Sequence, residues 1–213
     1  MNHKVFNINK DGRDFIISDL HGCYDLLEEK IKEISFDFNN DRLFSVGDLI
    51  DRGPKSMMCL QLLVTPWFHS VRGNHEQFLI DTVLHEDNPY IWINNGGSWF
   101  IDEEHSELYK YALLAKQLPY AITVKTDKGD IGICHAEPKD SNWGGFEDMT
   151  MGDKSNMIWG RRVINESETY IVNNVYETYH GHTPISVPIK KGNINFIDTG
   201  AFFTGNLTML QIN

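Results

Sequence analysis

The sequence is poor in cysteine and has no long apolar run. Its 213 residues include three cysteines, Cys23, Cys59 and Cys134, which lie far apart and show no C-x-x-C spacing. An odd number of scattered cysteines argues against a disulfide framework and indicates reduced thiols, as in a cytoplasmic protein. No run of about 18 apolar residues occurs, so no transmembrane helix is expected. The N-terminus lacks an apolar stretch of signal-peptide length, and we expect a cytoplasmic location.

Basic residues are also scarce relative to acidic ones. Nineteen Lys and Arg stand against 30 Asp and Glu, which gives a formal net charge of −11. Broad binding to nucleic acid or to an anionic membrane needs basic patches, so neither partner is expected. A phosphorylated substrate remains compatible, because bound cations and a few arginines reverse the local sign. The length predicts a single domain over residues 1–213.

Short apolar runs alternate with amphipathic segments along the chain. Helical spacing predicts a helix over 24–34, proline in a first turn predicts another from Pro54, and 81–118 is expected to be mostly helical with a break at 94–97. The segment 142–152 is interpreted as a glycine-rich loop. Strands are predicted at 15–17, 43–46, 67–71, 120–124, 131–134, 175–179, 194–197 and 207–212. The repeated order of strand, polar loop and helix indicates βαβ units. We therefore expect an α/β fold of two packed, partly parallel sheets with helices outside.

Five short motifs follow these apolar runs and share the same residue types. They are Asp19-Leu20-His21-Gly22, Gly47-Asp48-Leu49-Ile50-Asp51-Arg52-Gly53, Gly73-Asn74-His75-Glu76, His135-Ala136-Glu137 and Gly181-His182-Thr183-Pro184. Hard and borderline divalent metals prefer O and N ligands of this kind. In α/β sheets, ligands gather at the carboxyl ends of strands, where these motifs fall. The five motifs together predict a binuclear metal site.

A two-metal hydrolytic site needs one bridging carboxylate and several further O or N ligands. Asp48 is the natural bridge, and Asp19 and His21 can both reach one metal. The remaining candidates are Asn74, His135 and either His180 or His182, which position alone does not separate. Two ions held in this way would activate a water molecule and neutralise phosphate oxygens.

The leaving oxygen in such a reaction needs a proton. His75, adjacent to Asn74, is the candidate general acid, and Asp51 could hold its imidazole. Arg52, Arg72 and Arg161 are candidates for forked bonds to phosphate. Each motif taken singly also fits a structural role, such as an N-cap at Asn74 or a surface ion pair at Asp51 and Arg52. All five would have to be structural independently, which favours the metal site.

The aromatic residues around the break at 94–97 have a simpler interpretation. Trp92, Trp99 and Phe100 flank that break, and we interpret them as core and loop packing and not as a ligand platform.

The motif series resembles the phosphoprotein phosphatase family of metallophosphoesterases, over nearly the whole chain. Within that family it is most similar to the bacteriophage-lambda type serine/threonine protein phosphatases and their bacterial relatives. The resemblance implies a calcineurin-like metallophosphoesterase fold, with a central two-sheet β-sandwich flanked by helices and a dimetal site in loops at the strand ends. It further implies a metal-dependent phosphomonoester hydrolase, a serine/threonine protein phosphatase, in which a metal-activated water attacks phosphorus directly. The implied partner is a phosphorylated protein.

The resemblance also implies a role for each matching residue. It selects His182 over His180 as a ligand, and Mn2+ as the metal, with Fe or Zn as alternatives. The first metal would be held by Asp19, His21 and Asp48, and the second by Asp48, Asn74, His135 and His182. His75 would pair with Asp51 as the acid, and the phosphate would be bound by Arg52, Arg72 and Arg161.

The chain departs from the family pattern at Ser18, where a glycine is usual, and the divergent segment 139–156 is expected to border the substrate cleft. The alternative activity is that of a diadenosine tetraphosphatase of the same superfamily. Those relatives lack the Asp-Arg pair and carry Asp after Gly-Asn-His, so Asp51, Arg52 and Glu76 favour the protein phosphatase. A catalytically inactive metal-binding module would be expected to have lost His75 or one of the arginines, and all are present.

Overall fold

The computed structural model describes residues 1–213, and its ten strands form two sheets. In chain order the strands are β1 (His3–Phe6), β2 (Asp14–Ile17), β3 (Arg42–Ser45), β4 (Phe68–Ser70), β5 (Ala121–Thr126), β6 (Gly129–Cys134), β7 (Glu177–His180), β8 (Ile189–Lys191), β9 (Ile194–Phe196) and β10 (Met209–Gln211). One sheet has the order β1-β5-β6-β7-β9-β8, and the other has the order β10-β2-β3-β4.

Each sheet contains three neighbouring parallel strands. In the smaller sheet these are β2, β3 and β4, and in the larger sheet they are β6, β7 and β9. The carboxyl ends within each group therefore emerge at one edge of the sheet. The expected partly parallel two-sheet α/β architecture is confirmed.

Eight α-helices surround the sheets. They are α1 (Tyr24–Glu33), α2 (Ser56–Gln61), α3 (Asn74–Leu84), α4 (Tyr90–Asn94), α5 (His105–Gln117), α6 (Met151–Trp159), α7 (Arg162–Asn165) and α8 (Ala201–Thr204). Short 3-10 turns occupy Leu62–Val64 and Gly97–Asp102. None of the helices combines the length and the apolar character that crossing a bilayer requires.

Successive side chains of each strand point to opposite faces of its sheet, and this produces three apolar layers. In β2, Phe15 and Ile17 face one way and pack with the helices, whereas Ile16 faces the other sheet. Phe44 of β3 and Ile133 of β6 join Ile16 in the layer between the sheets. A third cluster covers the outer face of the larger sheet. Both faces of the parallel strands are thus covered. This explains why the sequences of these strands are near-continuous apolar runs.

Several elements were not predicted, among them β1, β8, α6, α7 and α8. β1 and β8 are short edge strands with partly exposed side chains, so alternation is weak in both. The interpretation of 142–152 as a loop is wrong at its end, because α6 begins at Met151. The reason is a capping box: the Thr150 hydroxyl accepts from the Asp153 N–H, and the Asp153 carboxylate accepts from the Thr150 N–H.

Candidate metal centre

The predicted ligands converge because each follows the carboxyl end of a strand. Asp19 and His21 follow β2, Asp48 follows β3, and Asn74 begins α3 after β4. From the other sheet, His135 follows β6 and His182 follows β7. All six side chains are more than nine-tenths buried. The structure thus brings the whole predicted ligand set into one buried region between the sheet edges.

Asp48 lies at the middle of this cluster. Its Oδ2 atom is 3.3 Å from Nε2 of His135, 3.8 Å from Nε2 of His21 and 3.9 Å from Nε2 of His75. Two compact groups of ligand atoms share Asp48: one adds His21 and His75, and the other adds His135 and His182. One carboxylate common to two groups has the position that a bridging ligand needs.

Asn74 and Asp19 complete the side of the cluster near His182. The Oδ1 atom of Asn74 lies 3.0 Å from Nε2 of His135 and 2.9 Å from Nδ1 of His182. Asp19 accepts the backbone N–H of His182 at Oδ2, at 3.0 Å. The compact group of ligand atoms around His21 contains His75 and does not contain Asp19. The family resemblance instead assigns Asp19 to the metal that His21 would bind.

The surroundings of His135 favour positive charge at this point of the cluster. Its Nδ1 bonds to the carbonyl of Val46 at 2.8 Å, so a neutral ring carries its lone pair on Nε2. That lone pair would face two acceptors, Oδ1 of Asn74 and Oδ2 of Asp48. Burial alone lowers the pKa of His135, but Asp48 outweighs burial and raises that pKa to about 10. A divalent cation would satisfy Nε2 of His135 and the two oxygen atoms together.

Orphaned buried atoms support the same conclusion. Oδ1 of Asp19, Nε2 of His182 and Oδ2 of Asp198 are buried and have no hydrogen-bond partner. Burial, followed by the nearby Asp198, raises the pKa of Asp19 well above its usual range. Burial also raises the pKa of Asp198 to about 6. Several buried carboxylates, neutral imidazoles and an amide oxygen form a donor set that fits two divalent cations.

Asp198 is a residue that sequence reasoning missed. It follows β9, which is parallel to β7, so it emerges at the same edge of the sheet as His182. Its Oδ1 accepts the N–H of Gly200 at 2.8 Å, while Oδ2 remains free. The signal was an Asp and a Gly after a predicted strand, without the His, the Asn or the Asp-Arg pair that marked the other motifs.

His75 is fixed from its far side by Asp51. The two side chains are joined through His75 Nδ1 and Asp51 Oδ2 at 2.5 Å, and both are fully buried. The indole N–H of Trp92 donates to Asp51 Oδ2 at 2.8 Å, and that of Trp99 donates to Oδ1 at 2.6 Å. The two tryptophans pack as expected and, in addition, anchor this carboxylate. Their role was detectable only from the rule that a buried indole N–H finds an acceptor.

The three predicted arginines occupy different places. The Arg52 guanidinium bonds to Nε2 of His21 at 2.8 Å and to Nε2 of His75 at 3.1 Å, and lies 4.9 Å from the ring centroid of Phe202. Arg161 is exposed and close enough to His182 to contribute to lowering its pKa, which burial chiefly brings to about 3.

Arg72 is turned away from the cluster. Its guanidinium donates to Gln77, to the Tyr120 hydroxyl and to the carbonyls of Lys116 and Leu118. The structure therefore places Arg52 in contact with the histidines of the cluster, Arg161 at its rim near His182, and Arg72 beside it.

His180 lies outside the cluster. Its Nε2 bonds to the Thr178 hydroxyl at 2.9 Å, its Nδ1 lies 3.4 Å from Sγ of Cys134, and its ring packs against Phe196. These contacts explain its burial without any ligand role.

The loops that carry the site adopt strained backbone conformations. His21, Asp48, Asp51, Arg52 and His182 all have positive φ angles, between 42° and 77°. Such a conformation costs about 1–3 kcal/mol for a residue with a side chain, and it clusters at functional sites.

Two glycines permit close approach of these loops. A Cβ atom on Gly73 would lie 2.1 Å from Oδ1 of Asp48, and one on Gly181 would lie 1.8 Å from Oδ1 of Asp19. Gly181→Ala is therefore expected to displace Asp19 and to weaken metal binding by about tenfold or more, as measured by Mn2+ titration. Gly205→Ala is the control, since a Cβ there meets nothing within 4 Å, although its own positive φ adds some strain. Unchanged metal affinity in Gly181→Ala would contradict the placement of Asp19.

Glu76 ties two ligand loops together, which sequence reasoning did not recognise. Its Oε2 accepts the backbone N–H groups of Asp48 and Gly73, and its Oε1 accepts that of Leu49, at 2.8–2.9 Å. Burial, followed by Asp48, raises the pKa of Glu76 to about 7. The sequence pattern around Glu76 is that of a helix start. In this pattern the Glu at the third helical position accepts the backbone N–H of the cap residue.

Glu76→Ala is expected to lower the free energy of unfolding by about 3 kcal/mol, because three buried N–H groups lose their acceptor. Urea denaturation of the metal-free protein measures this, with the exposed Glu33→Ala as the control. A loss below about 1 kcal/mol would show that these loops do not depend on the carboxylate.

Comparison with known proteins identifies the family of the chain. The model of the calcineurin-like phosphoesterase family matches residues 15–198. The chain is 35% identical over 202 residues to serine/threonine-protein phosphatase 1 of Salmonella typhimurium, covering 93% of this chain and 91% of that protein. A symmetrical bis(5'-nucleosyl)-tetraphosphatase of Pasteurella multocida is 40% identical over 72 residues, which is 33% of this chain and 26% of that protein.

Among solved structures, a putative diadenosine tetraphosphatase superposes with a TM-score of 0.70 at 19% identity, covering 98% of this chain and 97% of that one. That likeness shows the fold, and the predicted calcineurin-like sandwich is confirmed. With a family model across most of its length and a relative at 35% identity over 93% of it, the chain belongs to the calcineurin-like phosphoesterases, a family of metallophosphoesterases.

Proposed function

We propose that this protein is a metal-dependent phosphomonoesterase that removes phosphate from serine and threonine residues of proteins. The observation that carries the proposal is the position of His75. Held by Asp51, it directs Nε2 to the edge of the cluster, 3.9 Å from Asp48 Oδ2 and 3.1 Å from the Arg52 guanidinium. An acid, a phosphate-binding cation and a metal cluster at one point are the parts that phosphate ester hydrolysis requires.

The substrate class rests on the relative. The similarity to a serine/threonine-protein phosphatase runs along 93% of the chain, whereas the similarity to the nucleosyl-tetraphosphatase is confined to 33%. The Asp51-Arg52 pair and Glu76 also favour the protein phosphatase. Diadenosine tetraphosphatase activity is the second candidate, and the local identity of 40% is the observation in its favour.

The proposed ligand assignment divides the cluster between two ions. One is held by Asp19, His21 and Asp48, and the other by Asp48, Asn74, His135 and His182. The O and N donors suit Mn2+, and Fe or Zn would also fit. When bound, such a pair of ions supplies a nucleophile from water at neutral pH and neutralises charge on the phosphate.

Protein side chains supply the proton for the leaving group and hold the proton donor in place. His75 donates a proton from Nε2 to the leaving oxygen of serine or threonine. Asp51 accepts the Nδ1–H of His75 and so fixes which nitrogen faces the substrate. Its own orientation is set by the two indole N–H groups of Trp92 and Trp99.

Arginines bind the phosphate oxygens in this proposal. Arg52 is exposed and exchanges its bonds to His21 and His75 for phosphate oxygens. Arg161 approaches from the side of His182. Arg72 is the third arginine of the proposed phosphate site. Its guanidinium must release the carbonyl of Lys116 to reach the phosphate.

The test compares three substrates on the Mn2+-loaded enzyme: a phosphoserine peptide, p-nitrophenyl phosphate and diadenosine tetraphosphate. The peptide is expected to give the highest kcat/KM, with p-nitrophenyl phosphate also hydrolysed. His75→Asn prepared in the same way reports any contaminating phosphatase. Hydrolysis of the dinucleotide alone, with both phosphomonoesters inert, would overturn the proposal.

A further inference from the structure

A groove opens beside the metal centre, between α3, the end of α5 and α6. Its volume is about 370 Å³, and Tyr120, Met151 and Trp159 are among its walls. Trp159 connects the groove to the site, because its ring lies edge-on to His182, with the centroids 5.7 Å apart. A chain whose phosphorylated residue sits at the metal centre can therefore continue into the groove.

Three cations line this groove, although the protein carries a net charge of −11. The Arg72 guanidinium lies 4.8 Å from the ring centroid of Tyr120, and the Lys154 ammonium lies 5.8 Å from it. Lys116 is the third, exposed at the end of α5. Nε of Arg72 is buried without a hydrogen-bond partner, and the residue is only 8% exposed.

The two lysines of the groove lack carboxylate partners. Lys110 pairs with Glu107 and Lys139 with Asp140, whereas neither Lys116 nor Lys154 forms such a pair. The one carboxylate in the groove, Asp81, is already engaged with Gln77 and His85. Two lysines without carboxylate partners, close to Arg72 and the buried ring of Tyr120, favour an anionic occupant.

We propose that this groove binds an acidic side chain of the substrate polypeptide and so makes acidic phosphoproteins the preferred substrates. The inference rests on the proposed phosphatase function. Lys154 lies five residues before Trp159 on α6, a rise of about 7.5 Å along the helix. The distance from Trp159 to His182 adds 5.7 Å. An extended peptide covers both distances in about four residues, so the acidic residue would lie within about four residues of the phosphorylated one.

The groove is open to solvent, so the expected preference is modest. An exposed ion pair corresponds to a change of about two- to fivefold in kcat/KM. Salt screens such pairs, so the preference falls as sodium chloride rises from about 20 to about 300 mM.

The experiment uses full-length Mn2+-loaded enzyme and phosphoserine peptides that differ only in one residue. Glu, Gln or Lys is placed at each of the four positions before and after the phosphoserine. At one or more positions Glu is expected to exceed Gln, and Gln to exceed Lys, by about threefold in kcat/KM. Lys154→Glu is expected to reverse this order while turnover of p-nitrophenyl phosphate stays unchanged. Lys116→Glu is the second variant, and Lys128→Glu, on the distant β5–β6 turn, is the control.

Each alternative result is distinguishable. Equal rates for Glu, Gln and Lys at every position, or an order that persists in both variants, would overturn the groove assignment while leaving the phosphatase function intact. Peptides that are all inert, with p-nitrophenyl phosphate hydrolysed, would remove the proposed function and this inference together. Loss of diadenosine tetraphosphate hydrolysis in Lys154→Glu, with the peptide order unchanged, would assign the groove to a polyphosphate instead.

Discussion

His75→Asn is expected to lower kcat by about 10²–10⁴-fold while both metal ions stay bound. Asparagine keeps a polar side chain at the start of α3 but cannot deliver a proton to a leaving alkoxide. The metal ligands in the proposed assignment do not include His75, so the metal content is expected to match that of the unmodified protein. Steady-state kinetics together with metal analysis of the same sample measure both quantities.

The leaving group provides a second readout for His75. p-Nitrophenolate leaves without a proton more readily than a serine alkoxide, so the loss in His75→Asn is expected to be smaller for p-nitrophenyl phosphate than for a phosphoserine peptide. His105→Asn, an exposed histidine at the start of α5, is the control. Loss of a metal ion in His75→Asn, with normal turnover per remaining site, would assign His75 to the ligands, as the grouping of His21, Asp48 and His75 allows.

Asp48→Asn has the largest expected effect on metal binding. Its Oδ2 lies within 3.9 Å of three imidazole nitrogens, and no other carboxylate belongs to both ligand groups. The amide removes a negative charge and places either an NH2 group or a single neutral oxygen among these rings. We expect Mn2+ affinity to fall by more than about 100-fold, which exceeds the usual effect of residues that only support a ligand.

Isothermal titration with Mn2+ measures this affinity, and Asp25→Asn, an exposed carboxylate on α1, serves as the control. If Asp48→Asn still bound two ions with unchanged affinity, Asp48 would not be the bridge.

The sequence was sufficient to predict that these candidate side chains come together, because of strand direction. Asp19, Asp48 and Asn74 follow three neighbouring parallel strands, and His135 and His182 follow two more, so local motifs converge without knowledge of the loops. The same rule applies to Asp198 after β9, but that motif contains no His, Asn or Asp-Arg pair and was not selected.

Interactions over long sequence distances were beyond local patterns. Asp51 is held by Trp92 and Trp99, more than 40 residues along the chain, and nothing in either segment specifies the other. Glu76 shows the same limit, since its helix-start pattern does not indicate that it also accepts N–H groups of Asp48 and Leu49. The arrangement that positions the proposed general acid and shapes the ligand loops therefore became visible only in the fold.

The orientation of Arg72 is another property of the fold. Its place directly before Gly73 suggested a phosphate ligand, yet its guanidinium follows the carbonyls at the end of α5 and the ring of Tyr120. The adjacent residue Asn74 enters the cluster, whereas Arg72 borders the groove. Side-chain direction at a strand–helix junction depends on which neighbouring carbonyls lack donors, which the sequence does not display.

In the proposed mechanism, one buried cluster holds two catalytic ions. The most direct measurement titrates Mn2+ into chelator-treated protein, with bound metal determined by mass spectrometry and phosphoserine peptide hydrolysis followed in parallel. We expect saturation at two ions per chain, with activity appearing only as the second ion binds. Saturation of both binding and activity at one ion per chain would contradict it.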